Sequence, residues 1–190
     1  MLKHAFKEWA VICRALAEGR QALILRKGGI AEQQGEFALE HKRFWLFPTY
    51  LHEKPEALKP DAQPLLQAVE ADKPPPGKVR LSHFAEVGGV YHVHDIVGAL
   101  KIDPLHLWSP ATVEARFVYR RPGLFVLPVR VYGMPEPFEI PDTAHYAGCK
   151  SWVELERELP TTGASPVLDG HAFHDVLRML DLLLQPTAFV

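Results

Sequence analysis

The run Lys73-Pro74-Pro75-Pro76-Gly77 constrains this chain more than any other feature, because proline fixes φ, lacks an N–H and is excluded from helix interiors and central strands. The parts on either side each hold too few apolar elements for an independent core. Residues 72–78 therefore read as a stiff surface loop within one domain spanning 1–190. A chain of 190 residues with 47% hydrophobic content can bury one substantial core of this kind.

Charge narrows the function classes. With 21 basic against 23 acidic residues the formal net charge is -2, which excludes a surface that is basic all over and leaves only a local basic patch as a route to nucleic acid. Cys13 and Cys149 allow one disulfide at most, and both read as reduced thiols. Met1 to Glu8 carries charges where a signal peptide needs an apolar stretch, and no run approaches a membrane span, so a cytoplasmic, non-membrane protein is expected.

Residues 6–17 admit two readings: Phe6, Trp9, Ala10, Cys13, Leu16 and Ala17 fit helical spacing, whereas Trp9, Val11, Cys13 and Ala15 alternate. The turn signal Glu18-Gly19-Arg20 before Ala22-Leu23-Ile24-Leu25 favours a hairpin. Phe44-Trp45-Leu46-Phe47 is expected to pair with that second run. Leu58, Leu65, Leu66 and Val69 suggest a helix in 57–71, begun late because of Pro60 and Pro64. Val79–Phe84 and Val90–Val93 read as a strand pair around Gly88-Gly89.

Ser109-Pro110 marks a helix start. Arg116–Arg120 and Leu124–Tyr132 around Pro122-Gly123 read as the clearest hairpin, with an echo of the first half that suggests a duplicated hairpin. Ser151 and Glu154 form a capping box that predicts a short helix over Trp152–Leu159. Phe173, Val176, Leu177, Leu180, Leu183 and Leu184 form a helical stripe after Asp169, ended by Pro186. The predicted fold is α+β: an antiparallel or mixed sheet built from β-hairpins, with flanking helices and a C-terminal helix.

Four groups of residues are candidates for chemistry. Arg26-Lys27-Gly28-Gly29 offers two cations beside bare backbone N–H groups, suited to a phosphate or carboxylate. Gly148-Cys149-Lys150-Ser151 lies at the start of the predicted helix, where the helix dipole would favour an anion and activate the Cys149 thiol. The pairs His92/His94 and His171/His174 could each begin a metal site, with Asp95 or Asp175, although neither matches a closed zinc pattern. Arg116 and Arg130, with Trp108 and Tyr132 as exposed aromatics, could stack on and contact nucleic acid.

The segments Lys7-Glu8-Trp9-Ala10-Val11, Leu25-Arg26-Lys27-Gly28-Gly29-Ile30, Phe44-Trp45-Leu46-Phe47-Pro48-Thr49-Tyr50 and Gly148-Cys149-Lys150-Ser151-Trp152 together resemble the bacterial family catalogued as domain of unknown function 1802. The resemblance supplies no activity and no cofactor. It implies an association, since some members are joined to an endonuclease domain of the Mrr restriction type. A weaker likeness to Nudix hydrolases stops at the metal-binding step, where only Glu53, Glu56 and Glu70 stand in the matching region.

Three functions compete on these grounds. The first is a binding module, an accessory in a restriction-modification-type system, that recognises nucleic acid through Arg26, Lys27, Arg116, Arg130 and Lys150. The second is a hydrolase or nuclease-like enzyme using His41, His52, Glu53 or Cys149, which requires those groups to converge. The third is a structural partner, for example of a nuclease subunit, acting through Leu182-Leu183-Leu184.

Overall fold

In the computed structural model, which describes residues 1–27, 32–33, 36–37, 39–50, 53–148 and 150–184, the ambiguous first segment is both strand and helix. β1 (Leu2–Trp9) runs directly into α1 (Ala10–Ala17). No side chain of the flanking Trp9 caps this helix. Glu53, far along the chain, accepts the Val11 N–H at 2.9 Å instead. The chain continues through β2 (Leu23–Arg26), the short pair β3 (Glu32–Gln33) and β4 (Glu36–Phe37), β5 (Arg43–Thr49), α2 (Gln63–Ala71), β6 (Lys78–Val87) and β7 (Tyr91–Val93). Then come α3 (Ile96–Lys101), α4 (Pro110–Val118), the long β8 (Leu124–Pro141), β9 (Trp152–Leu159), β10 (Ser165–Pro166) and α5 (Gly170–Leu183).

One mixed sheet organises these elements in the order β10-β8-β6-β5-β1-β9. β1 and β5 are parallel and the other pairs antiparallel. β2 and β7 join the first part of β8, opposite Leu124 to Pro128, and β6 takes the remainder from Val129 to Pro141. Both faces of the sheet are covered. Phe44 and Leu46 enter one apolar cluster with Phe6, Ile12, Ile24 and Trp108, while Trp45 and Phe47 enter another with Leu81, Phe84, Val153 and Leu155. An apolar run without alternation is what burial on both faces requires.

The α+β layout with a mixed sheet and a C-terminal helix is thus the observed one, yet several expected pairings differ. The hairpin between 9–16 and β2 is replaced by α1, and β2 pairs with β8 rather than with β5. β6 and β7 do not pair with each other but both lie on β8. Arg116–Val118 is the last turn of α4, so the hairpin expected over 116–132, and with it the duplicated one, does not form. The capping box at Ser151 is overridden as well. Trp152–Leu159 is β9, with Val153 and Leu155 buried on alternate positions and Glu154 ion-paired to Lys3 of β1 at 2.7 Å. Side-chain alternation against a waiting partner strand outweighs a local capping signal.

Two helix starts were legible. Ser109 accepts the Thr112 N–H with Pro110 in the first turn, and Asp169 accepts the Ala172 N–H at 2.8 Å. Pro186 lies outside the described residues. Among those described, no helix is long and apolar enough to cross a membrane.

Candidate functional site

Alternation in β1 places Glu8 on the same face as Phe6, two residues earlier, and buries it to 4% exposure. A carboxylate in that position needs a partner. Arg26, at the end of β2, supplies one: its Nη1 stands 3.5 Å from Glu8 Oε2, while Glu8 Oε1 accepts the Trp9 N–H at 2.9 Å. The Arg26 guanidinium lies over the Phe6 ring, 4.5 Å from its centroid, and donates through Nη2 to Ser151 Oγ. Ser151 is held in turn, its carbonyl accepting the Lys7 N–H at 2.8 Å.

A second guanidinium approaches from α4. Arg116 lies 3.7 Å from the Trp108 ring centroid, and Trp108 meets Trp9 edge-on at 4.8 Å. Burial pushes the Arg116 guanidinium below its ordinary value; the Glu8 carboxylate opposes this and Arg26 reinforces it. Arginine stays charged under such a shift. Glu8 is thus ion-paired to Arg26, and its charge also favours the charged form of Arg116.

Arg116 also opens onto a cleft of about 480 Å³ bordered by Lys27, Lys54, Glu56, Thr112 and Tyr119. Lys27 does not point its ammonium into solvent. It donates to the carbonyls of Phe117 at 2.7 Å, Gly123 at 2.8 Å and Arg121, closing the turn that follows α4. Burial, with Arg121 nearby, lowers the Lys27 pKa. In that turn Arg120 adopts φ 62°, a left-handed conformation rare outside glycine, and its guanidinium lies over the exposed Tyr119 ring at 5.2 Å.

Strand register extends the same face sideways. Arg26 pairs with Phe125 on β8, which pairs with His92 on β7, so the three side chains form one cross-strand row. His92 stacks on Phe125 at 4.2 Å and lies 3.8 Å from the His94 ring. Burial, His94, Lys27 and Arg121 all lower the His92 pKa. Among the described residues no group of three or more His, Cys, Asp or Glu is placed to hold a metal ion.

Other expectations are placed differently. Trp108 is wholly buried, so it serves as a bed for Arg116 and not as an exposed stacking surface. Tyr132 is half-buried and stacked on Phe84 at 5.0 Å. Arg130 faces Glu86 in register and lies over Tyr132 at 5.6 Å, ~16 Å along β8 from Phe125. Lys150 is exposed beside Ser151, but the helix whose dipole was to support an anion there is absent. His171 stands 3.2 Å from Asp175 as an exposed pair on α5.

Gly28, Gly29, His52 and Cys149 lie outside the described residues. Cys13 is a free, buried thiol whose pKa burial raises well above the usual range. His41 stacks on His4 at 3.5 Å before β5 begins, and Glu53 caps α1 after β5 ends, which sets them on the order of 20 Å apart along that strand. Burial raises the Glu53 pKa and lowers that of His41. These two do not share a site. Sequence reading missed Glu8, Lys54, Tyr119 and the Arg120-Arg121 turn; the available signal was a carboxylate two positions past Phe6 in a strand.

No curated protein matches the chain. Among solved structures it is similar to a mutant of ZmASCH from Zymomonas mobilis, with 10% identity, TM-score 0.47, and 94% of this chain and 98% of that one covered. It is also similar to ASCH from the same organism, with 10% identity, TM-score 0.41 and coverage of 92% and 93%. The sequence from residue 5 to residue 179 matches one family throughout, and the chain belongs to it: the domain of unknown function (DUF1802).

Proposed function

We propose that the Arg26–Arg116 face binds the phosphates of a nucleic-acid strand. The observation that carries this reading is the pair of guanidiniums, each laid on an aromatic ring, with Glu8 the one carboxylate among the described residues that is ion-paired to Arg26 and acts on Arg116. A flat, pre-ordered guanidinium offers its edge N–H groups to phosphate oxygens with little entropy left to lose. The cleft beside Arg116 continues the positive lining through Lys54, with Glu56 as the acidic member of its border. Tyr119, 57% exposed, supplies a ring on which a base can stack. Lys27 shapes the turn rather than contacting the ligand.

The test is fluorescence polarisation of labelled single- and double-stranded DNA and RNA at two salt concentrations. Binding that weakens steeply with salt, and is lost in Arg116→Ala and reduced in Lys54→Ala, supports the reading. No binding at low salt removes it. An accessory role beside a nuclease rests on the family resemblance and becomes worth testing only once strand binding is seen.

A further inference from the structure

We propose that the cleft between α1, α2 and β6 is a second binding site, for a small ligand with a carboxylate or phosphate head on a flat apolar body. Arg14 of α1 and Arg80 of β6 converge at its mouth on a single carboxylate, Asp72, at 3.5 Å and 2.9 Å. The Asp72 side chain is 59% exposed and follows the last turn of α2, ahead of the proline-rich loop. An ion pair that open to water contributes little net stability, so an incoming anion can replace it cheaply. Asp72 thus marks where an anionic head fits: two guanidiniums from separate elements already aim there.

Two other carboxylates face these arginines. Glu18 pairs with Arg14 at 2.5 Å, and Glu139 stands 3.9 Å from Arg80 while taking Lys78 at 3.0 Å. They leave room for a head of low charge and argue against a polyphosphate. Below the mouth the walls turn apolar, with Cys13, Leu46 and Val69 around a space of about 230 Å³. That is below the usual range for drug-sized ligands and suits a single substituted ring.

Tyr50 lines the same space, and its hydroxyl makes no hydrogen bond among the described residues. Burial lifts its pKa to about 12 and raises that of Cys13, so both are neutral at physiological pH and the Tyr50 hydroxyl is a donor. Lys73 lies over the Tyr50 ring at 4.6 Å. His83 turns its Nδ1 to Ser82 Oγ at 2.8 Å on the β6 side. None of these residues belongs to the Arg26–Arg116 face, so the two readings stand or fall separately.

The experiment is a backbone amide NMR titration of the full chain with benzoate and with phenyl phosphate. Acetate, inorganic phosphate and aniline serve as probes carrying the head or the ring alone. The expected result is saturable binding of at least one aryl anion, with shifts centred on 10–17, Tyr50 and 80–83, and weaker binding of the partial probes. Arg80→Gln should weaken the aryl anion about tenfold, as expected for loss of a charge-assisted contact. Asp72→Asn, a surface change that leaves folding intact, should tighten it by removing the internal competitor. Shifts that stay linear for every probe, or saturable binding that Arg80→Gln and Asp72→Asn leave unchanged, would overturn the proposal.

Discussion

The Arg116 guanidinium rests on the buried Trp108 indole, 3.7 Å from the ring centroid, so a cation at the rim of the cleft is positioned by a residue of the core. Trp108→Ala should destabilise the fold by about 3–5 kcal/mol through cavity formation. Arg116→Lys keeps the charge but loses the flat stack, and should weaken strand binding while leaving the urea midpoint nearly unchanged. Equilibrium unfolding and polarisation on the same samples separate the two effects.

Glu8 provides a change of opposite sign. Glu8→Gln removes the carboxylate that is ion-paired to Arg26 and that favours the charged form of Arg116, without changing the side chain's shape. Stability should fall by about 1–3 kcal/mol, since two partly buried cations lose their counter-charge. DNA affinity at low salt should rise, with a steeper salt dependence. Affinity that falls along with stability would mean that Glu8, and not the arginines, makes the contact.

Lys27→Met should loosen the turn after α4. Three carbonyls lose a charged donor, and Arg120 sits there in a left-handed conformation that costs energy to maintain. Amide exchange should speed up across 119–123 and little elsewhere, with a stability loss of about 1–3 kcal/mol. Exchange that is uniform along the chain would assign Lys27 to the global fold.

His106 sets the acid limit. It is 2% exposed, and neither ring nitrogen has a hydrogen-bond partner among the described residues. Burial above all, with Lys59 adding, lowers its pKa from 6.5 to about 4. Between those values the unfolded chain takes up the proton and the folded one does not, so this contribution is intact above pH 6.5 and is lost as pH falls to about 4. The loss amounts to about 3 kcal/mol. His106→Leu should flatten the acid limb of a stability–pH curve, whereas an unchanged limb would point to the carboxylates.

Local chemistry was legible where it acts locally. Ser109 with Pro110, and Asp169 before the Phe173–Leu184 stripe, start helices because capping needs only the next three residues. Pairing was not legible, because β8 draws its partners from residues 23–26, 78–87, 91–93 and 165–166, none of which is the neighbouring run. The same distance effect hid much of the candidate site. Arg26, Ser151 and Arg116 could each be picked out by type, but only the fold that sets Arg26 of β2 beside Glu8 of β1 shows that the carboxylate joins them.

β8 contributes Phe125 to the row beside Arg26, and its far end pairs with β6, which carries Arg80 and His83 at the second cleft. A one-residue deletion within 124–128 would invert the facing of every side chain beyond it and shift β2 and β7 relative to β6, which pairs with the rest of β8. Insertions and deletions should therefore be tolerated in the proline-rich loop and excluded from β8. Across related chains, length variation should collect in the former, while the latter keeps a constant residue count even where its residues change.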